Sequence, residues 1–150
     1  MVGHLAEEDK RDFAGRIQMM LHEAEPRLLL NDQGQVARQR NDCDRDIRDL
    51  LDEFAGVRNA SAGEVERLSP ADLDRTGVHP KIGLIRVREL LHEWLYHDLN
   101  HVQQIERNAQ RFLWNELGRM QAFYPSHGAN PGRSASSNLP SASRVPGYVA

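Results

Sequence analysis

Residues 84–112 read LIRVRELLHEWLYHDLNHVQQIERNAQRF, and this stretch decides the fold class. At about 100° per residue, Leu84, Val87, Leu91, Trp94, Val102, Ile105, Ala109 and Phe112 fall on one stripe of a helix. That period predicts a long amphipathic helix over about 87–117. Leu90, His97, His101 and Asn108 stack along one flank of the stripe, while Glu93, Asn100, Arg107 and Arg111 take the wet face. His97 and His101 therefore point towards the protein. Residues four apart on a helix are neighbours, with Cβ atoms roughly 5–6 Å apart. Two imidazoles so placed can share one metal ion at about 2.0–2.1 Å, or they can be ordinary flank histidines. The motif is not the HExxH of zinc proteases, because Asp98 follows the first histidine where that motif has its catalytic Glu.

Asp98 falls near the middle of the apolar stripe. A carboxylate there must be paired or hydrogen-bonded. Two partners are open: an arginine from another helix, Arg58 being one candidate, or a metal-ligating imidazole that Asp98 holds in its tautomer. Gln104 falls on the outer flank and faces solvent. His92 is well round the helix from His97 and reads as exposed. His22 lies near a helix end, His79 in a Pro/Gly loop and His127 beyond residue 124. Periodicity does not place His4 inward, since it shares a face with Glu8 and Arg11.

Two further helices are predicted. One spans about Val2 to His22 with Val2, Ala6, Phe13, Ile17 and Met20 in period, and Pro26 marks its end. The other spans about Val36 to Leu68 with Cys43, Ile47, Leu50, Leu51, Phe54, Val57 and Val65 as its stripe, which makes Cys43 a small core residue. Ser69 then N-caps a short turn, SPADLDR. RTGVHPKIGLIRV reads as a loop with at most a short extended piece. No series of strands appears, so the class is all-α, an up-down helix bundle. Residues 125–150 are rich in Ser, Pro and Gly with almost no large apolar side chains, the composition of a disordered tail. The folded domain is thus 1–124.

Composition narrows the function. A 150-residue chain with 39% hydrophobic residues is one globular domain. A net charge of -3 gives no basic patch for nucleic acid. No apolar run approaches the roughly 20 residues of a membrane span, and the N-terminus has no signal-peptide core. The single cysteine excludes an internal disulfide and fits a reducing cytoplasm.

TGVHPKIGLIRVRELLHEWLYHDLNHVQQIER, residues 76–107, resembles the signature of the DinB-like (damage-inducible) superfamily: a Gly-x-His-Pro loop, then a helix bearing His-Asp-x-x-His-x-x-Gln. LLDEFAGVR and SPADLDRTG are similar to its preceding helix and turn. GHLAEEDKRDFAGRI resembles the helix that opens with His-Leu and carries an acidic residue five positions on, here Asp9. The resemblance implies a four-helix bundle with one divalent metal, Zn, Ni or Fe, held by His4, His97 and His101, with Asp98 behind them. It implies a metal-dependent enzyme acting on a small molecule, of the thiol S-transferase or hydrolase type, with a low-molecular-weight thiol as a further cofactor. It names no catalytic residue. The alternatives are a non-enzymatic metal-binding or stress-associated bundle, or an inactive family member. The family has a helix ahead of its first histidine, whereas Met1 stands three residues before His4. The expectation is a bundle lacking its first helix, hence a homodimer or a marginally stable monomer with His4 on a fraying end.

Overall fold

The first helix changes its winding twice. In the computed structural model, which describes residues 1–124, α1 (Val2–Glu7) runs into a π-helical segment (Glu8–Ala14) and then α2 (Gly15–His22). The wide turn closes where the Gly15 N–H bonds the Lys10 carbonyl, five residues back. A Cβ at Gly15 would lie 2.9 Å from that carbonyl oxygen, so glycine is the residue that lets the helix leave the wide winding. The helix buries Leu5, Ala6, Phe13, Ala14, Ile17 and Met20, and with them two carboxylates, Asp9 and Asp12. Its last carbonyls are capped from afar: Arg75 Nε donates to Met20 O (2.5 Å) and Arg75 Nη2 to Glu23 O (3.0 Å).

The predicted second helix divides in two. α3 (Gln33–Arg40) starts at Asp32, whose side chain accepts from the Gln35 N–H, and ends at Asn41 in the left-handed region, φ 48°. A 3-10 turn, Asp42–Asp44, follows, and α4 (Ile47–Val65) begins after Asp46, which accepts from the Arg48 N–H. The run NDCDRD explains the break. Asn and Asp side chains bond nearby backbone groups and compete with the helix ladder. Cys43 falls in this turn and is exposed, which corrects its assignment to the core. On α4 only Leu50 and Ser61 are buried, while Ile47 and Leu51 are exposed.

RTGVHPKIGLIRV contains more order than a loop. β1 (Thr76–His79) and β2 (Gly83–Arg86) pair antiparallel, Thr76 opposite Arg86 and His79 opposite Gly83. Gly83 has φ 81°, open to glycine and strained for other residues. Pro26–Leu28 runs beside β1, with Leu28 N–H to Val78 O (3.0 Å) and Val78 N–H to Pro26 O (2.8 Å). α5 (Val87–Glu116) then matches the predicted third helix closely.

The core gathers Phe13, Ala14, Ile17 and Met20 with Leu28, Val87, Leu90 and Trp94. The Phe13 and Trp94 rings stack in parallel, 5.0 Å between centroids. Each such side chain contributes about 1.5–3 kcal/mol on burial. Of the predicted stripe on α5, Val87 and Trp94 are buried and Leu91 is half-buried, but Leu84, Val102, Ile105 and Phe112 are exposed. A stripe marks a face; whether it is covered depends on the reach of the partner helices.

The chain divides into two compact units, Met1–Gln104 and Ile105–Ala150. The core lies in the first. In the second, α5 ends at Glu116 and a 3-10 helix follows over Gly118–Phe123. The Ser/Pro/Gly-rich stretch from 125, with His127, lies outside the described residues. Among the described residues no helix is long and apolar enough to cross a membrane.

Arg40 ties three pieces of the fold. It donates to Glu7 on α1 (2.8 Å), to Asp42 (3.0 Å) and with two nitrogens to Glu53 on α4 (2.8 and 3.0 Å). The hydrogen bonds from Arg40 hold the Glu53 carboxyl down at about 2, against an ordinary 4.5. A carboxyl depressed in the folded state adds stability above the unfolded value and loses it as pH falls through the folded value. The urea midpoint of the wild type should therefore exceed that of Glu53→Gln by a constant margin above about pH 5. The margin should shrink between 4.5 and about 2. A margin independent of pH over that range would show that folding does not depress the Glu53 carboxyl.

Candidate metal centre

His4 comes from the first turn of α1, and His97 and His101 from the middle of α5. One nitrogen from each ring lies within 4.8 Å of the others. The ring centroids are 5.8 Å apart for His4 and His97, 5.1 Å for His4 and His101, and 4.5 Å for His97 and His101. The Nε2 atoms of His97 and His101 are 3.2 Å apart. Tetrahedral zinc with Zn–N of about 2.0–2.1 Å sets its nitrogens about 3.3 Å from one another, so this pair already stands at ligand spacing.

The chemistry of the three rings fits a divalent ion. Burial lowers the His4 pKa, and repulsion from His101 and His97 lowers it further. Burial also lowers His97, with His101 next in effect. His4 and His97 are therefore neutral near pH 7, the form that ligates. The Nδ1 atoms of His97 and His101 are buried without a hydrogen-bond partner. Both rings are thus turned with Nε2 towards each other and not towards an internal acceptor.

Behind His97 lies a charged network. Asp9, 1% exposed, accepts from Arg58 Nε (2.5 Å), Arg58 Nη2 (2.7 Å) and Trp94 Nε1 (2.8 Å). The same guanidinium donates to Asp98 through Nη1 (2.6 Å) and Nη2 (3.1 Å). It also lies over the Phe54 and Trp94 rings, at 5.1 and 5.3 Å from their centroids. Asp98 thus has Arg58 as its partner, the arginine named from sequence. Its Oδ1 is 3.9 Å from His97 Nδ1, too far for a hydrogen bond. His92 and Gln104 are exposed, as read.

A cleft of about 270 Å³ adjoins the cluster, with Glu8, Asp12, Phe13, Arg16, Gln33 and Glu93 among its walls. Glu8 Oε1 is 3.8 Å from His4 Nδ1, and the Phe13 ring is 5.3 Å from that of His97. Burial, then repulsion from Asp12, pushes the Glu8 carboxyl up to about 7. Sequence reasoning missed Glu8, Phe13 and Gln33 as neighbours of the site. The row His4, Glu8, Asp12, Arg16 at intervals of four was the available signal.

The model of the DinB superfamily matches residues 1–105. The chain belongs to the DinB superfamily. Among solved structures it is similar to YfiT from Bacillus subtilis, described as a probable metal-dependent hydrolase with an unusual four-helix bundle topology. The TM-score is 0.68 at 19% identity, over 75% of this chain and 65% of that one. The likeness is one of fold, and the chain spans just under two thirds of that structure's length. No curated protein matches the chain in sequence. The family result bears out the all-α bundle read from α5.

Because Asp9 is buried and Asp98 is not, their losses should differ. Arg58→Ala leaves Asp9 without its counter-charge and should cost about 3–5 kcal/mol of folding free energy, the usual result of halving a buried pair. Asp98→Asn keeps Asp9 paired and should cost clearly less. Chemical denaturation of both variants checks this. Equal losses would mean that Asp9 draws no stability from Arg58.

Proposed function

We propose that the chain binds one divalent transition ion, Zn, Ni or Fe, through His4, His97 and His101, and is a metal-dependent enzyme acting on a small molecule in the adjoining cleft. The observation that carries this reading is the meeting of three imidazoles from two helices, next to Glu8 and Phe13 of the cleft wall. Imidazole suits these metals. Three protein ligands leave coordination positions open, as in catalytic zinc sites; structural sites are closed by four. When bound, such an ion lowers the pKa of a water or thiol and polarises a carbonyl.

The residues of the chain supply the rest. Lowered His4 and His97 pKa values keep ligating nitrogens free of protons near pH 7. Phe13 gives the cleft an apolar wall beside His97, and Glu8, held by Gln33, gives it a polar wall beside His4. Asp98 holds the α5 backbone next to His97 against Arg58. Hydrolysis is the reaction type we favour, since the likeness to YfiT supports it; thiol transfer uses the same open positions.

Purified protein dialysed against excess Zn2+ should retain about one ion per chain by elemental analysis. His97→Ala and His101→Ala should each abolish retention, and His92→Ala should not. The loaded protein should hydrolyse an activated ester such as p-nitrophenyl acetate, and chelator treatment should stop it. Retention unaffected by either histidine would sink the site. Metal bound with no turnover of esters or thiol adducts would leave a binding protein.

A further inference from the structure

His97 and His101 sit mid-helix and are held by turns on both sides. His4 sits in the first turn of α1, where backbone donors lack helical partners. Its contacts show what holds it. Side chains from the two ends of α3, Gln33 and Arg40, reach the first helix. At the start of α3, Gln33 Nε2 donates to Glu8, whose carboxylate lies 3.8 Å from His4 Nδ1, and reaches Asp12 Oδ2 at 3.3 Å. At its end, Arg40 grips Glu7, one turn along from Gly3, and its side chain is only 10% exposed.

Gly3, directly before His4, is where the far grip touches the helix. A Cβ there would lie 1.9 Å from Asp42 Oδ2 and 2.7 Å from Arg40 Nη2. Asp42 cannot simply swing aside, because Arg40 Nε holds that same oxygen at 3.0 Å. Arg40 is in turn fixed by two bonds to Glu53 on α4. Any side chain at position 3 must break this chain of bonds or push α1 off it.

We infer that α3 is a strap that positions His4. Gln33 and Arg40 are its two grips and Gly3 is the contact that lets it seat, so that a first-turn histidine completes the three-histidine set. This rests on the metal reading above. An arginine suits the far grip because its planar fork serves three carboxylates at once, which a lysine ammonium cannot do with the same geometry.

The test is Zn2+ affinity of the full chain, by competition with a chromophoric chelator, with far-UV melting curves to show that each variant is folded. Gly3→Ala and Arg40→Lys should weaken binding about 10–100-fold, as loss of a residue that orients a ligand does, down to the level of His4→Ala. In the His4→Ala background neither should weaken it further, whereas a general loosening of the fold would still do so. Gln33→Ala, an exposed residue, reads the near grip should Gly3→Ala fail to fold. Wild-type affinity in Arg40→Lys and Gln33→Ala, or an equal loss with and without His4, would overturn the strap and leave the metal site standing. A wild type that binds no better than His97→Ala would overturn both.

Discussion

Asp9 and Arg58 meet where three helices converge. The carboxylate comes from the π-helical segment, the guanidinium from α4, and Trp94 and Asp98 close the network from α5. A buried carboxylate is tolerated only when its oxygens are hydrogen-bonded and its charge is matched. Asp9 has both, with three donors on two oxygens. Such bonds are directional, so they fix position along the helix axes in a way that apolar contact does not. Leu90 could slide against Ile17 at little loss; Asp9 cannot leave Arg58. His97 is adjacent to Asp98, and His4 is little more than a turn from Asp9. The axial setting of α5 against the first helix, and with it the meeting of the histidines, follows from this one network.

The π-helical winding serves the same end. A regular helix over 2–22 carries an apolar stripe broad enough for Phe13, Ile17 and Met20. It brings Asp9, four residues before Phe13, to that face as well, but it leaves Asp12 about 100° away from Phe13. The wide turn shifts the phase after Glu7, and Asp12 joins Asp9 in being buried, each among hydrogen-bonding partners. Local π-helical turns recur at functional sites for this reason: they re-aim side chains without breaking the helix.

This phase shift also marks where sequence reading stops. α5 was legible because thirty residues keep one uninterrupted period, and His97 and His101, on that period, were placed facing inward correctly. That Asp98 needs a partner followed from the cost of an unpaired carboxylate on an apolar stripe; Arg58 was one candidate, and the structure selects it over an imidazole. His4 was not legible from periodicity, because its helix does not hold one period past Glu7; only the family resemblance pointed to it. The break between α3 and α4 escaped because apolar residues continued at helical intervals across Asn41–Asp46, and local side-chain bonding outweighed that signal. Cys43 fell with it. Val102, Ile105 and Phe112 keep the period yet lie exposed, since period alone says nothing about whether a partner helix extends that far.

The charges behind the histidines carry one more consequence. Asp9 and Asp98 set against Arg58 leave one net negative charge beside His97. The two carboxylates favour a protonated His97 and Arg58 opposes it, but burial and the neighbouring His101 outweigh them, and the ring stays neutral. A neutral donor ring in front of a net negative layer is a poor place for an anion and a favourable one for a cation. The layer also lies partly buried, so salt screens it less than it would an exposed pair. The network that sets helix register thus lends its leftover charge to the place where the three imidazole nitrogens converge.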